Sequence, residues 1–159
     1  NELEIALSGI GQSKILATPM HMCMIASAIA NNGVMMEPYL LKKVVSHGGT
    51  ERNIEGPREY RKVLDSNIIK PIYDAMLGVV KNGTGKRAAV SGMKIAGKTG
   101  SAEGMVNGSE ATHAWFVGFS ANKSRPYALC IMVEGGGGGG SVAAPLASKI
   151  FAYLNARYK

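Results

Sequence analysis

A short, turn-rich link, residues 121–126, joins two strand-like runs at 111–120 and 127–134. So short a connection leaves no room for a crossover, which forces the two runs to be antiparallel. A third strand-like run, 93–101, comes before them. Residues 142–157 close the chain as a helix with Leu146, Ile150, Tyr153 and Leu154 on one face. Upstream, Thr18 and Pro19 read as an N-cap and first helical residue, and Asn31-Asn32-Gly33 reads as a stop. Between them residues 20–30 are apolar on nearly every face, the pattern of a helix buried all round. Ile68, Ile69, Ile72, Tyr73, Met76, Val79 and Val80 mark a second amphipathic helix over 67–81. Pro71 lies early in it, which predicts an irregular first turn or a later start. Residues 39–45 read as a short strand, 46–61 as a loop or weak hairpin, and the glycines 135–140 as a flexible loop. Helices, then strands, then a covering helix make an α+β fold, with a three-stranded antiparallel sheet.

Composition sets the outer limits. With 159 residues, 46% hydrophobic and 18% charged, the chain is one domain or a large piece of one, and too apolar to be disordered. Its 21 glycines argue against a helical bundle. Cys23 and Cys130 lie in apolar runs and read as buried free thiols, with no disulfide framework or metal pair. The uncharged stretch 15–36 is broken by Pro, His and Asn-Asn-Gly, and its helix falls short of the roughly 20 apolar residues that a membrane span needs. No targeting segment is visible. The chain starts at Asn1 without Met and is read as cut from something longer. The net charge of +7 is concentrated between Arg61 and Lys98, where eight Lys or Arg face only Asp65 and Asp74. Aromatics are not interleaved with them, so a solvated basic face is the plainer reading and no nucleic-acid partner is expected.

Two motifs overlap near residue 98. Gly92 to Thr99 fits the phosphate-binding pattern GxxxxGK[ST], but that loop works through a helix starting right after it. Gly100, Gly104 and Gly108 fall where the first turns of such a helix belong, and the variable positions look like a strand. The alternative places Lys98-Thr99-Gly100-Ser101 at a strand end. There Lys98 and Gly100 share one side and Thr99 and Ser101 the other. A cation with two hydroxyls suits a carboxylate, and Gly100 lets a ligand's backbone come close.

The rest of the chain extends this second reading. Ile10-Gly11-Gln12, Thr18-Pro19 and Ala30-Asn31-Asn32-Gly33 resemble the stretch between the second and third motifs of class B penicillin-binding protein transpeptidases. Asn82-Gly83-Thr84-Gly85 is similar to that family's Gly-Thr-Gly segment, and residues 97–103 to its third active-site motif. The strand Ala114-Trp115-Phe116-Val117-Gly118-Phe119 and the helix opening Ala143-Ala144-Pro145 fit too, so the resemblance covers nearly the whole chain.

One departure stands out. The family's nucleophile lies in an SxxK motif and is followed by an SxN motif, and both precede the region seen here. Ser91-Gly92-Met93-Lys94 and Ser120-Ala121-Asn122-Lys123 spell SxxK, but an activated Ser needs its Lys one helical turn away. Ser91 leads into a strand and Ser120 starts a turn, so neither is read as catalytic. Residues 1–159 thus read as the C-terminal part of a transpeptidase domain without its nucleophile, expected to be inactive alone.

The resemblance implies a D,D-transpeptidase that cross-links peptidoglycan stem peptides through an acyl-serine and is a target of β-lactams. It assigns Lys98 to electrostatic and hydrogen-bond support, the Thr99 and Ser101 hydroxyls to the substrate carboxylate, and the Ser101 backbone N–H to the oxyanion hole. The substrate strand is expected to pair along the Lys98 strand, beside Gly100. Family members usually carry Thr where Ser101 stands, and Ser keeps the hydroxyl. No cofactor or metal is expected. Other cell-wall synthesis proteins are expected as partners, on the outer face of a bacterial cell membrane with an N-terminal anchor outside these residues. The competing readings are a β-lactamase or β-lactam sensor of the same fold, and a P-loop nucleotide-binding protein. His21 and His113 have no catalytic or metal partners at suitable spacing, and the nine Met residues read as core filling. The strand from Tyr127 to Glu134, with only Glu134 to blunt its edge, is expected to self-associate if left unpaired.

Overall fold

Asn107-Gly108 reverses the chain within two residues. Both residues take positive φ, 50° and 80°, as a two-residue hairpin turn with the strand twist demands. The computed structural model describes residues 2–12, 15–53 and 56–157. Within it the turn joins β5 (Ile95–Val106) to β6 (Ser109–Ser120), and β6 pairs in turn with β7 (Ala128–Val133). The sheet is antiparallel, in the order β5-β6-β7. The strand expected over 93–101 is therefore both later in starting and longer. The remaining strands, β1 (Val34–Met36), β2 (Lys43–Val45), β3 (Glu51–Asn53) and β4 (Glu59–Lys62), form two small ribbons, β1 with β4 and β2 with β3. The strand expected over 39–45 thus shrinks to its last three residues. The 46–61 stretch is a hairpin arm plus a strand returning to β1, with residues 54–55 outside the described residues.

Four helices complete the chain: α1 (Glu2–Gly9), α2 (Pro19–Ala30), α3 (Ser66–Asn82) and α4 (Ala143–Arg157). Thr18 caps α2 as its sequence predicts, its hydroxyl accepting from the His21 N–H at 3.2 Å. At the other end the Gly33 N–H closes back on the Ala28 carbonyl at 2.8 Å. Burial all round is not what α2 achieves. Ala26 and Ala28 are buried, whereas Met20 is 57% exposed, because β6, β7, β1 and α3 cover only part of the helix. Helix α3 starts at Ser66, ahead of Pro71 rather than after it. Its first turn tightens instead, with the Asp65 carbonyl accepting from both Ile68 and Ile69 at 3.0 Å. The two acids of the basic stretch are ion-paired on the surface, Asp65 with Lys62 and Asp74 with Lys70.

The sheet separates two cores, set by strand alternation. On one face Ile95, Ala114, Phe116 and Leu129 pack with Ala143, Ala144, Ala147 and Phe151 of α4. On the other, Ala96 and Phe119 pack with Ala26 of α2 and Met76 of α3, and the Tyr73 and Phe119 rings lie 5.1 Å apart. Helix α4 therefore turns a different side inward from the one its large apolar residues mark. Leu146, Ile150 and Tyr153 are 38%, 43% and 59% exposed, while the alanines and Phe151 are fully buried. Small side chains let the helix approach the sheet closely, and a single Phe fills the space beyond them.

The glycine run 135–140 is a loop, but a packed one. The Gly137 N–H donates to the Thr112 carbonyl at 2.8 Å, and Gly139 is buried against the sheet. A Cβ at Gly139 would lie 2.3 Å from the carbonyl oxygens of Gly100 and Trp115, so no side chain fits there. Cys23 and Cys130 are free and half-buried. Burial, reinforced by Cys23, pushes the Cys130 thiol up to about 11, which suits an inert packing thiol. Among the described residues no helix is long and apolar enough to cross a membrane.

Candidate functional site

Alternation along β5 sorts the predicted site residues as the sequence implies. The Thr99 and Ser101 side chains belong to the face that carries α4, and Lys98 and Gly100 to the other. On the α4 face two further segments converge on the hydroxyls. The turn that ends α3 brings Thr84 Oγ1 to 2.6 Å from Thr99 Oγ1, and the glycine loop brings the Gly139 N–H to 3.3 Å from Ser101 Oγ. The Ser101 oxygen therefore accepts from the backbone, which leaves its own O–H to donate outward. If Thr84 donates to Thr99, the Thr99 hydroxyl is left in the same state. Two aligned O–H donors on one strand form a receptor for an anionic oxygen pair.

The strand edge adds a second set of groups. Among the described residues strand β5 is outermost in its sheet, so alternate residues point their N–H and C=O groups away from β6. The Ser101 carbonyl is one of these, since it accepts the Gln12 side-chain amide at 3.2 Å. In an antiparallel ladder the N–H and C=O of one residue point the same way, so the Ser101 N–H also points out from this edge. The Thr99 carbonyl accepts the Lys98 ammonium at 2.6 Å, which folds the cation against the same edge. Beside it, on the Lys98 and Gly100 face, lies a cavity of about 350 Å³ walled by Ile10, Ile15, Met22, Trp115 and Val117.

All four residues expected at the site, Lys98, Thr99, Gly100 and Ser101, thus lie along one open strand edge. Sequence reading did not place Gln12, the Gly139 N–H or the hydroxyl of Thr84 at that site. A run of glycines beside a strand was the only available sign that backbone would approach backbone there.

The rejected motifs also find their places. Strand β5 continues to Val106, so the GxxxxGK[ST] match is not followed by a helix. Ser91 lies in a turn, and the Lys94 N–H bonds Asn122 Oδ1 at 2.7 Å at the mouth of β5. Ser120 is buried at the end of β6, and its Oγ accepts from the Asn122 N–H at 3.3 Å. Neither serine is on a helix with its lysine. His113 Nδ1 accepts the Gly135 N–H at 3.3 Å, a loop anchor, and His21 is exposed at the start of α2. Among the described residues no three His, Cys, Asp or Glu side chains cluster as metal ligands would.

Residues 1–152 match the family described as the penicillin binding protein transpeptidase domain. The chain is 29% identical over 154 residues to the peptidoglycan D,D-transpeptidase PbpA of Mycolicibacterium smegmatis, covering 93% of this chain and 31% of the relative. It is 31% identical over 159 residues to the peptidoglycan D,D-transpeptidase MrdA of Acinetobacter baumannii, covering 91% of this chain and 23% of the relative. Among solved structures it resembles the penicillin-binding protein PBPA of Mycobacterium tuberculosis, with a TM-score of 0.84 and 28% identity over 97% of this chain and 38% of that one. The ceftriaxone acyl-enzyme complex of the same M. tuberculosis protein matches with a TM-score of 0.83 and 28% identity, covering 93% of this chain and 35% of that one. The chain thus spans less than a third of the length of the two relatives.

Proposed function

The chain belongs to the transpeptidase family of penicillin-binding proteins, of the class B type, and we propose that it is the substrate-binding, C-terminal part of a D,D-transpeptidase domain. In this reading a serine outside residues 1–159 attacks the carbonyl of the penultimate D-Ala of a stem peptide. The peptide bond breaks, the terminal D-Ala leaves with a proton, and the acyl group remains on the serine as an ester. An amine from a second stem peptide then attacks that ester and forms the cross-link. A β-lactam enters by the same first step and stays as the ester. The protein acts on the outer face of the bacterial cell membrane, where that polymer is assembled, held by a transmembrane anchor elsewhere in the protein and alongside other cell-wall synthesis proteins.

The observation that carries this reading is the hydrogen-bond state of β5. The Gly139 N–H bond to Ser101 Oγ and, with Thr84 as the donor, the Thr84 bond to Thr99 leave both hydroxyls free to donate toward the substrate carboxylate. The Ser101 N–H, on the open edge, donates to the carbonyl oxygen as it gains charge, a kind of contact worth about 3–4 kcal/mol of barrier in serine hydrolases. Lys98 supplies positive potential beside it and hydrogen-bonds the serine of the SxN motif.

The test is release of D-alanine. The full-length protein, incubated with a synthetic stem peptide ending in D-Ala-D-Ala, is expected to release D-alanine, and pretreatment with penicillin G abolishes that release. A protein that takes up penicillin G but releases no D-alanine is a β-lactamase or sensor instead, and the reading fails.

A further inference from the structure

Gln12 sits where an incoming strand has to bind. Its side-chain N–H donates at 3.2 Å to the Ser101 carbonyl, across 89 residues of sequence. That carbonyl is half of the outward-facing pair through which Ser101 meets a partner strand. In an antiparallel ladder such a pair exchanges both of its bonds with a single residue opposite. If the Ser101 N–H takes the scissile carbonyl oxygen, the Ser101 C=O therefore takes the N–H of the same substrate residue, the penultimate D-Ala. The Gln12 amide and that substrate amide compete for one acceptor.

We propose that Gln12 is a placeholder on the β5 edge: its side-chain amide caps the Ser101 carbonyl until the substrate's own amide replaces it. The inference rests on the transpeptidase reading and assigns a specificity role to a residue outside the strand. Without a cap, the carbonyl and N–H on this edge present an unpaired template for other strands. The segment that carries Gln12 is lightly held. Helix α1 buries none of its residues, and the turn after it is tied back to the helix by the Gln12 N–H to the Leu7 carbonyl at 3.0 Å. The side chain can therefore swing off the edge with little loss of packing. On this account ligands that bring an amide N–H must displace Gln12, and ligands without one need not.

Two classes of β-lactam differ in this one group. Penicillin G carries an acylamino N–H next to the lactam carbonyl, and a carbapenem such as imipenem carries a hydroxyethyl group there instead. The readout is the ratio of the second-order acylation constants for penicillin G and imipenem, measured on the full-length protein and its Gln12→Ala variant. Removing the placeholder is expected to raise the penicillin constant about three- to tenfold, the range of one net hydrogen bond, and to leave imipenem within about twofold. Gln12→Glu, which cannot donate, is expected to shift the ratio the same way even if its charge slows both drugs. An unchanged ratio overturns the proposal, and so does a ratio that falls. Lack of any adduct on the unmodified protein overturns the transpeptidase reading and this proposal together.

Discussion

Replacing Lys98 with Ala in the full-length protein is expected to slow acylation by penicillin G by about 10²–10³-fold, the range for losing one preorganised electrostatic contact to the transition state. Stability is expected to move little. Lys98 is an exposed residue near an open strand edge, its ammonium bonded to the Thr99 carbonyl at 2.6 Å, and among the described residues no carboxylate pairs with it whose charge would be left alone. Solvent-exposed polar contacts of this kind contribute about 0–1 kcal/mol. Stopped-flow acylation beside a thermal melt separates the two effects. Losses of the same size in both would make Lys98 a structural residue.

Phe151→Ala carries the largest expected loss of stability, about 3–5 kcal/mol, because its ring is fully buried between α4 and the sheet face that carries Phe116. Leu146→Ala, one turn and a residue earlier on the same helix, is expected to cost under about 1 kcal/mol in the 159-residue chain, since Leu146 faces out. Urea unfolding of the chain and the two variants checks this pair. A reversed order would mean that α4 packs through Leu146, Ile150 and Tyr153, the face its sequence periodicity marks.

That reversal shows where sequence stops being informative. Apolar periodicity weights large side chains, so in α4 it picks out Leu146 and Ile150 and passes over Ala143, Ala144 and Ala147. Those alanines are buried because they are small, and it takes the opposing sheet to reveal a need for smallness. For the same reason α2 reads as buried on all sides, although a helix is covered only where another element is present to cover it. The sheet is different. Alternation, the 121–126 link and the fixed pleat left one arrangement of β6 and β7, and the structure has it. The Asn107-Gly108 turn that joins β5 to β6 is missed in the sequence reading, which ends the first strand at residue 101 and starts the next at 111.

The candidate site divides the same way. Lys98, Thr99, Gly100 and Ser101 are contiguous, so a four-residue motif was enough to find them. The contacts that set their chemistry come from far along the chain. Thr84 arrives from the end of α3, Gly139 from the loop before α4 and Gln12 from the loop after α1. No spacing rule links these positions, because each is brought in by tertiary packing. Six consecutive glycines suggested freedom, whereas Gly139 is glycine for want of space: the backbone oxygens of Gly100 and Trp115 stand where its Cβ would be.

The central claim is that residues 1–159 bind and polarise the substrate while the attacking serine lies elsewhere in the protein. Mapping the penicillin adduct tests it most directly. The full-length protein is labelled with penicillin G, digested, and the modified peptide identified by mass spectrometry, with the 159-residue chain labelled in parallel. The account predicts one acylated serine in the full-length protein, outside these residues and followed three positions later by a lysine, and no adduct on the chain alone. A stable adduct on Ser91, Ser120 or any other serine of the 159 residues would contradict it.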